Sequence, residues 1–542
     1  MTGLHYNYRI MKRRDFLQKS IPAATLLPAL INGYSVRAFA ADSPLVQALM
    51  QSTTDTDHVL VIIQLSGGND GLNTVIPVSN YSAYFNARSN VAIPQNRVLG
   101  LGSSGAGLHP SMTGLHNLFN NGNLKVIQAV GYPQPNFSHF RATDIWMSAS
   151  NSNQDVFTGW AGRYLNYEYP EFPVNYPNAM APDPLAIQIG STTTLTTMGP
   201  SVNMAMSITN PTSFYNLLNG TTDPVPDTPA GKELKYVRQI SQQTQKYSTV
   251  IRGAANRVPV QGTYPANNSL GDQLKIVARL IKGGLKTRVY MVSTGGYDTH
   301  SVQANAGDTT TGAHATLLQR LSDACKAFQD DLQGLGIEDR VIGMTYSEFG
   351  RRIKSNSSGG TDHGAAAPMI LFGSKIEQGV LGNSPTIPTN ASVNDNIPMQ
   401  YDFRSVYSTI LEKWFCLSKT VVDGLYPPNI NAQLQSLPLF KGNISCNGIT
   451  SPTDPSFNSI IINKPNPFNE TTTIEFHTEG GHTLIQIIDT LGRVIKNLLE
   501  RDYTGAGTYT VTFDSGGLPT GIYYARLQNG VTQAVRPMLK VR

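Results

Sequence analysis

Three apolar segments of this chain share one construction: a buried-type strand runs into small residues and then reaches an acid. Val59-Leu60-Val61-Ile62-Ile63-Gln64-Leu65 leads into Ser66-Gly67-Gly68-Asn69-Asp70-Gly71, and Arg288-Val289-Tyr290-Met291-Val292-Ser293 leads into Gly295-Gly296-Tyr297-Asp298. Arg340-Val341-Ile342-Gly343-Met344-Thr345-Tyr346 leads into Ser347-Glu348-Phe349-Gly350. Near-continuous apolar runs suit strands covered on both faces, as in parallel sheets. The small residues permit a sharp turn after each strand. In an open parallel α/β sheet the carboxyl ends of the strands line the binding crevice, so three acids delivered this way can converge although they lie far apart in sequence.

The segments between these strands support the same architecture. From His314 to Leu332, the residues Leu317, Leu318, Leu321, Ala324, Cys325, Phe328 and Leu332 form one helical stripe, and Gly334 and Gly336 end it before the strand at Val341. That is a strand, crossover helix, strand unit. Pro368 to Gly373 and Val126 to Val130 offer two further short strands. The expected fold is α/β, with a doubly wound, mostly parallel sheet over residues 41–449.

A polar, proline-punctuated linker follows at 450–458, and beyond it the period changes. Thr471 to Phe476, Leu484 to Asp489, Thr508 to Phe513 and Gly521 to Leu527 alternate apolar and polar residues between tight turns, which predicts a small C-terminal antiparallel β-sandwich over 459–542. At the other end, Lys12-Arg13-Arg14-Asp15-Phe16-Leu17, a modest apolar run from Ile21 to Ile31 and the small-residue site Ala38-Phe39-Ala40 read as an export signal over 1–40. The run is short and is broken by Pro22 and Pro28, so no transmembrane segment is expected. Of the 41 Lys and Arg and 36 Asp and Glu in the chain, six and one respectively precede Ala40, so the remainder is neutral. A neutral body gives nucleic-acid binding no electrostatic footing. Three cysteines, Cys325, Cys416 and Cys446, make no disulfide framework and no CxxC metal spacing. Cys325 falls on the apolar helix stripe, and the spacing leaves open whether Cys416 and Cys446 pair.

Two acid and imidazole pairs stand out as chemistry. Asp298-Thr299-His300 and Asp362-His363 flank Glu348, and an anionic oxygen beside a neutral imidazole is what borderline divalent metals prefer. Four potential ligands in two tight clusters at strand ends are not easily explained by turn formation. The other candidates each have an ordinary structural alternative: Asp70 in a turn, Ser138 as a helix N-cap, Glu348 in an ion pair with Arg351 or Arg352, and His314 as an exposed residue opening a helix.

Five motifs carry a family resemblance: LSGGNDGLN from Leu65, NFSHFRATDIW from Asn136, GGYDTH from Gly295, SEFGRR from Ser347 and GTDHG from Gly360. Together and in this order they resemble the DUF1501 family, which is similar in fold to the alkaline phosphatase and sulfatase superfamily. The resemblance implies an alkaline phosphatase-like sheet, divalent metal ions (Zn, Mn, Ca or Mg) and hydrolysis of phosphate or sulfate esters. It implies metal ligation by Asp70, Asp298, His300, Asp362 and His363, with Ser138 in the place of the nucleophile. Arg141, one helical turn further on, is positioned to bind an ester oxygen, and Glu348 is a further catalytic candidate. The superfamily usually carries another histidine after the second pair, but none occurs between His363 and His477. His109, His139 and His314 are all available in its stead, and the sequence does not choose among them.

The tail has its own resemblance. Asn466-Pro467-Phe468-Asn469, Asp489 with Leu491-Gly492-Arg493, Gly521-Ile522-Tyr523-Tyr524 and the basic end Lys540-Val541-Arg542 resemble the type A C-terminal sorting domain of the type IX secretion system. Lys12 to Leu17 resembles the twin-arginine signal. The partners implied are the type IX machinery and the twin-arginine translocase, and the location implied is extracellular or at the outer-membrane surface after passage through the periplasm. Three function classes follow: a secreted metal-dependent hydrolase, a non-catalytic surface protein that keeps the hydrolase fold, and an oxidoreductase using Gly67 to Gly71 as a dinucleotide loop. The last is disfavoured because GxGxxG is absent.

Overall fold

The computed structural model describes residues 56–427, apart from 170–171, 174–175, 179–180 and 210–246, together with 430, 434–442 and 444. It also describes 461–540, apart from 466–467, 479, 489–493, 506, 520 and 530–531, and the backbone of 29–31 and 34–36. Most of the signal segment, the linker and parts of the tail motifs therefore lie outside the described residues. The chain divides into two compact units, one spanning Thr54–Cys446 and the other containing Asn447–Arg542.

The larger unit is built on a nine-stranded sheet. In chain order its strands are β1 (Val59–Leu65), β2 (Leu124–Gly131), β3 (Ala186–Ile189), β4 (Ala205–Ile208), β5 (Val289–Thr294) and β6 (Val341–Tyr346). A separate hairpin, β7 (Arg351–Ser355) and β8 (Thr361–His363), comes before β9 (Ala367–Phe372), β10 (Gly379–Leu381) and β11 (Tyr401–Asp402), which return to the sheet. Across the sheet the order is β10, β2, β9, β6, β1, β5, β3, β4, with β11 also on β2. Only β9 runs against its neighbours, pairing antiparallel with both β2 and β6.

The three strands that end in acids are the adjacent central three, β6, β1 and β5. Their register is parallel and nearly level, with Tyr346 opposite Gln64 and Thr294 opposite Leu65. The sheet thus releases three turns side by side at its carboxyl edge.

Alternation along β1 explains the layering. Val59, Val61, Ile63 and Leu65 face one core and Leu60 and Ile62 the other, each at most 4% exposed. Of the helices α1 (Tyr81–Arg88), α2 (Thr113–Asn120), α3 (His139–Ser148), α4 (Trp160–Glu168), α5 (Ser269–Lys282), α6 (Ala313–Gly334) and α7 (Phe403–Thr409), α2, α5 and α6 cover the first core. Helices α3, α4 and α7 cover the second. Helix α6 presents Leu318, Leu321, Cys325, Phe328 and Leu332 to the core, as its stripe predicts. Cys325 is a buried free thiol, and Cys416 is disulfide-bonded.

The smaller unit is an antiparallel sandwich. Its strands, β12 (Ile461–Lys464), β13 (Thr471–Thr478), β14 (Gly481–Ile488), β15 (Val494–Tyr503), β16 (Gly507–Asp514), β17 (Gly521–Asn529) and β18 (Thr532–Lys540), form sheets in the orders β12, β13, β16 and β15, β14, β17, β18. One cluster, including Ile474, Phe476, Ile485, Ile487, Phe513 and Leu527, fills the space between them. No described helix is long and apolar enough to cross a membrane.

The turn after β1 can be made only by glycine. Gly67 adopts φ +123°, and a Cβ there would sit 2.4 Å from the Asp298 nitrogen. Gly67→Ala is therefore expected to cost about 1–3 kcal/mol, read as a lower midpoint in denaturant unfolding of the full chain.

Candidate metal centre

One buried guanidinium gathers the turns at the carboxyl edge. Arg351, at the start of β7, donates from Nε to the Gly68 carbonyl, from Nη1 to the Thr361 carbonyl at 2.7 Å, and from Nη2 to the carbonyls of Gly67 and Tyr297. Nη2 also meets Asp298 Oδ1 at 2.7 Å. These contacts pin the turn after β1, the turn after β5 and the β8 strand to one another. Glu348, in the turn after β6, joins them by accepting the Gly67 N–H at 2.8 Å.

Against this frame three imidazoles approach one carboxylate. Asp298 Oδ1 lies 3.2 Å from His300 Nε2 and 3.3 Å from His363 Nε2, and Asp298 Oδ2 lies 3.5 Å from His139 Nε2. His300 Nε2 and His363 Nε2 are 2.8 Å apart. Donor atoms of His139, Asp298 and His363 all lie within 4.8 Å of one another, and His300 adjoins them.

The far nitrogen of each ring sets its tautomer. Nδ1 of His139 meets Glu348 Oε1 at 2.8 Å, Nδ1 of His300 meets Asp362 Oδ1 at 3.0 Å, and Nδ1 of His363 meets the Phe137 carbonyl at 2.8 Å. Carboxylate and carbonyl oxygens only accept here, so each Nδ1 carries the proton and, in the neutral ring, each Nε2 presents a lone pair. Two lone pairs facing each other at 2.8 Å, beside an anionic carboxylate, require a positive charge among them. A proton or a metal ion meets that need. Oxygen acceptors behind imidazoles are also the arrangement that orients metal-ligating histidines. Donor separations of about 3.3 Å are what a tetrahedral ion with bonds of about 2.0–2.1 Å demands. The donor set therefore fits a metal ion.

The local electrostatics favour the ligating forms. Burial raises the Asp298 carboxyl, but the hydrogen bond and charge of Arg351, helped by His363 and His300, outweigh it and leave the pKa below the ordinary value. Asp362 is also held low, chiefly by the Asn356 hydrogen bond. For His363 burial lowers the pKa, and the charges of Arg351 and His139 add to that, so the ring is neutral at neutral pH.

The expected site residues fall into two groups. Asp298, His300 and His363 come together as donors, while Asp362 and Glu348 stand behind His300 and His139 as acceptors. Asp70 lies apart: it is fully buried, chelated by Arg88 Nη1 at 2.7 and 2.8 Å and by Gln303 Nε2 at 2.6 Å. Ser138 is exposed at the N-cap of α3, between Phe137 and His139, and its hydroxyl makes no capping bond. Arg141 is turned to the carbonyls of Asn151, Ser152 and Gln154 and to Asp155. Of the three spare histidines, His139 joins the cluster. His314 is 2% exposed, rather than standing at the surface, and bonds Asn69 Oδ1 at 2.9 Å, while His109 accepts the Ser111 N–H. Arg351, named from sequence only as an ion-pair partner for Glu348, is 1% exposed at the middle of the site.

Residues 227–425 match the family described as Protein of unknown function (DUF1501), a span that contains Asp298, His300, Glu348, Asp362 and His363. Residues 465–540 match the Secretion system C-terminal sorting domain. A comparison with curated proteins gave no match. Among solved structures, the PsFucS1 sulfatase from Pseudoalteromonas sp. is similar at 12% identity and a TM-score of 0.30, over 87% of this chain and 85% of that one. The structure of Ps i-CgsB in complex with k-i-k-neocarrahexaose is similar at 11% identity and a TM-score of 0.32, over 68% and 74%. A Bacteroides thetaiotaomicron structure, titled for the metabolism of multiple glycosaminoglycans, is similar at 9% identity and a TM-score of 0.33, over 85% and 92%.

Burial pushes His314 down to about 4, with the Arg351 and Arg88 charges acting in the same direction and Asp70 against them. Between the unfolded value near 6.5 and about 4, the unfolded chain binds a proton that the folded chain refuses. The stability contribution is therefore full above about pH 6.5 and is lost as pH falls toward 4. Unfolding free energy should decline across that window, and His314→Gln should flatten the decline.

Proposed function

We propose that this chain, with its DUF1501 region and secretion sorting tail, is an exported metal-dependent hydrolase of phosphate or sulfate esters. The observation that supports it best is the convergence of three imidazole Nε2 atoms on Asp298, each ring braced from behind by an oxygen acceptor. His139, Asp298, His300 and His363 would hold the ion. A donor set dominated by imidazole nitrogens suits Zn better than Mn, Ca or Mg, which prefer oxygen donors. When bound, such an ion supplies Lewis acidity toward an ester oxygen and lowers the pKa of a coordinated hydroxyl or water.

The remaining work falls to side chains of this chain. Glu348 and Asp362 hold His139 and His300 in the tautomer that points a lone pair into the site. Arg351 keeps Asp298 ionised. Ser138, exposed next to His139 at the start of α3 and making no capping bond, would serve as the nucleophile. A serine hydroxyl is a weak nucleophile at neutral pH and needs such a centre beside it. The sorting tail directs the chain through the type IX machinery to the cell surface or medium, after twin-arginine export has delivered a folded domain to the periplasm.

A second reading, a metal-bearing surface protein without catalysis, is favoured by Arg141. Its guanidinium is spent on the 151–155 loop and not held toward the centre.

Elemental analysis of the purified full chain is expected to give stoichiometric metal, and His363→Ala should abolish it. Glu348→Gln should weaken metal affinity about 10–100-fold while leaving the fold intact. Absence of metal from the wild-type chain after exposure to Zn and Mn would sink both readings. Aryl phosphate and aryl sulfate turnover then separates them: the hydrolase reading expects metal-dependent turnover that Ser138→Ala lowers by orders of magnitude. Metal binding without turnover supports the second reading.

A further inference from the structure

Arg351 and Arg352 stand in tandem on β7, and consecutive side chains of a strand leave by opposite faces. Arg351 gathers the strand turns, whereas Arg352 reaches the stretch that precedes α3. Its guanidinium carbon lies 5.2 Å from the centre of the Phe137 ring. From the same side chain, Nε donates to the His363 carbonyl at 2.9 Å and Nη1 donates to the Asn394 carbonyl. Phe137 in turn accepts at its own carbonyl from His363 Nδ1 at 2.8 Å. Arg352 therefore touches both partners of one hydrogen bond, Phe137 through its ring and His363 through its main chain.

That bond matters because of the way His139 arrives. Asp298 and the strand that carries His363 are held by Arg351, through the Asp298 carboxylate and the carbonyls of Tyr297 and Thr361. His139 comes from a separate element, at the start of α3 and two residues beyond Phe137. The described bonds of Asn136 and Ser138 stay within residues 132–142, so this stretch is fastened to the hairpin at Phe137. Beyond it the His139 ring meets Glu348 and lies edge-on to the His363 ring, with centroids 4.5 Å apart. A cation over an aromatic face adds a second hold on the same pair of residues, and two holds fix a spacing that one hydrogen bond leaves free to hinge.

We infer that Arg352 is a positioning residue of the metal centre: by clasping the Phe137 ring and the His363 carbonyl together, it sets the spacing between the His139 and His363 donors. The inference rests on the metal reading of the centre. Its sign separates it from a charge effect. A guanidinium near a metal site repels a second cation, so by charge alone its loss tightens metal binding. Loss of a clasp that aligns two donors weakens it.

The test titrates the metal-free full chain with zinc against a chelator of known affinity, and repeats the titration with cobalt(II), whose visible absorption reports the number and arrangement of its ligands. Arg352→Ala should weaken zinc binding about tenfold or more, as the loss of residues behind metal ligands does. Arg352→Lys should not restore it, because an ammonium keeps the charge without the planar face or the Nε donor. Phe137→Leu keeps Arg352 and the carbonyl of residue 137, and it should weaken zinc comparably. The double variant should be no weaker than the single ones, since both remove one contact. Phe137→Leu also carries the test if Arg352→Ala does not fold. The cobalt spectrum of Arg352→Ala should move from that of the wild type toward that of His139→Ala. Zinc affinity unchanged or raised in Arg352→Ala and Phe137→Leu, full rescue by lysine, or a wild-type cobalt spectrum in Arg352→Ala overturns the inference and leaves the metal centre standing. No zinc uptake by the wild-type chain removes the metal centre and the inference with it.

Discussion

The carboxyl edge of this sheet depends on the buried guanidinium of Arg351. Three turns that leave adjacent parallel strands have no intrinsic reason to keep a fixed spacing, since their backbone groups have lost the ladder. Arg351 supplies it by donating to carbonyls of Gly67, Gly68, Tyr297 and Thr361 and to the Asp298 carboxylate. A fully buried cation is costly unless it is paired and hydrogen-bonded, and here every nitrogen of the guanidinium has an acceptor, with the Asp298 carboxylate as counter-charge. Arginine suits the task because its planar fork stays charged and reaches several acceptors at once, which a lysine cannot do. Asp298 is thus set in place from behind, by contacts that also hold the strand on which His363 lies.

Much of the architecture was legible because the strands are covered on both faces. Val59–Leu65 is bounded by its own apolar run, and the stripe of α6 falls where its periodicity places it. The direction of β9 was not legible. The β7 and β8 hairpin turns the chain back before Ala367, so β9 re-enters antiparallel, and nothing in its apolar run records that reversal. At the site, Asp298, His300 and His363 announced themselves as acid and imidazole pairs in short motifs. His139 did not, because its partner Glu348 is 209 positions away and only the order of strands across the sheet brings them together. The role of Arg351 was hidden for the same reason: its acceptors on Gly67 and Gly68 are 284 and 283 positions distant.

Asp70 and Asp298 show how one sequence construction reaches two ends. Each follows a parallel strand and a pair of glycines, yet Arg88 takes both oxygens of Asp70 while Gln303 caps one of them. That carboxylate is 1% exposed, with its charge already neutralised by a cation at contact. Arg88 in turn reaches the carbonyls of Ile353 and Arg352, so the pair ties the β1 turn to β7. Asp298 is 46% exposed and shares only Oδ1 with an arginine, which leaves Oδ2 directed at His139. The first acid is a brace; the second retains capacity for another cation.

That remaining capacity is matched by the histidines around it. Were the Nδ1 atoms free, each ring could turn its N–H toward Asp298 and satisfy the carboxylate without any ion. Glu348, Asp362 and the Phe137 carbonyl remove that freedom, because each claims the proton on the outer nitrogen. With those protons claimed, neutral rings offer only lone pairs to an anion, and the cluster gains from whatever positive charge enters it. A proton on one ring relieves a single pair of nitrogens, whereas a divalent ion could meet the donor atoms of His139, Asp298 and His363, which lie within 4.8 Å of one another. The three acceptors behind the rings thus fix the form in which the inner nitrogens meet Asp298, and they do so from positions outside the cluster.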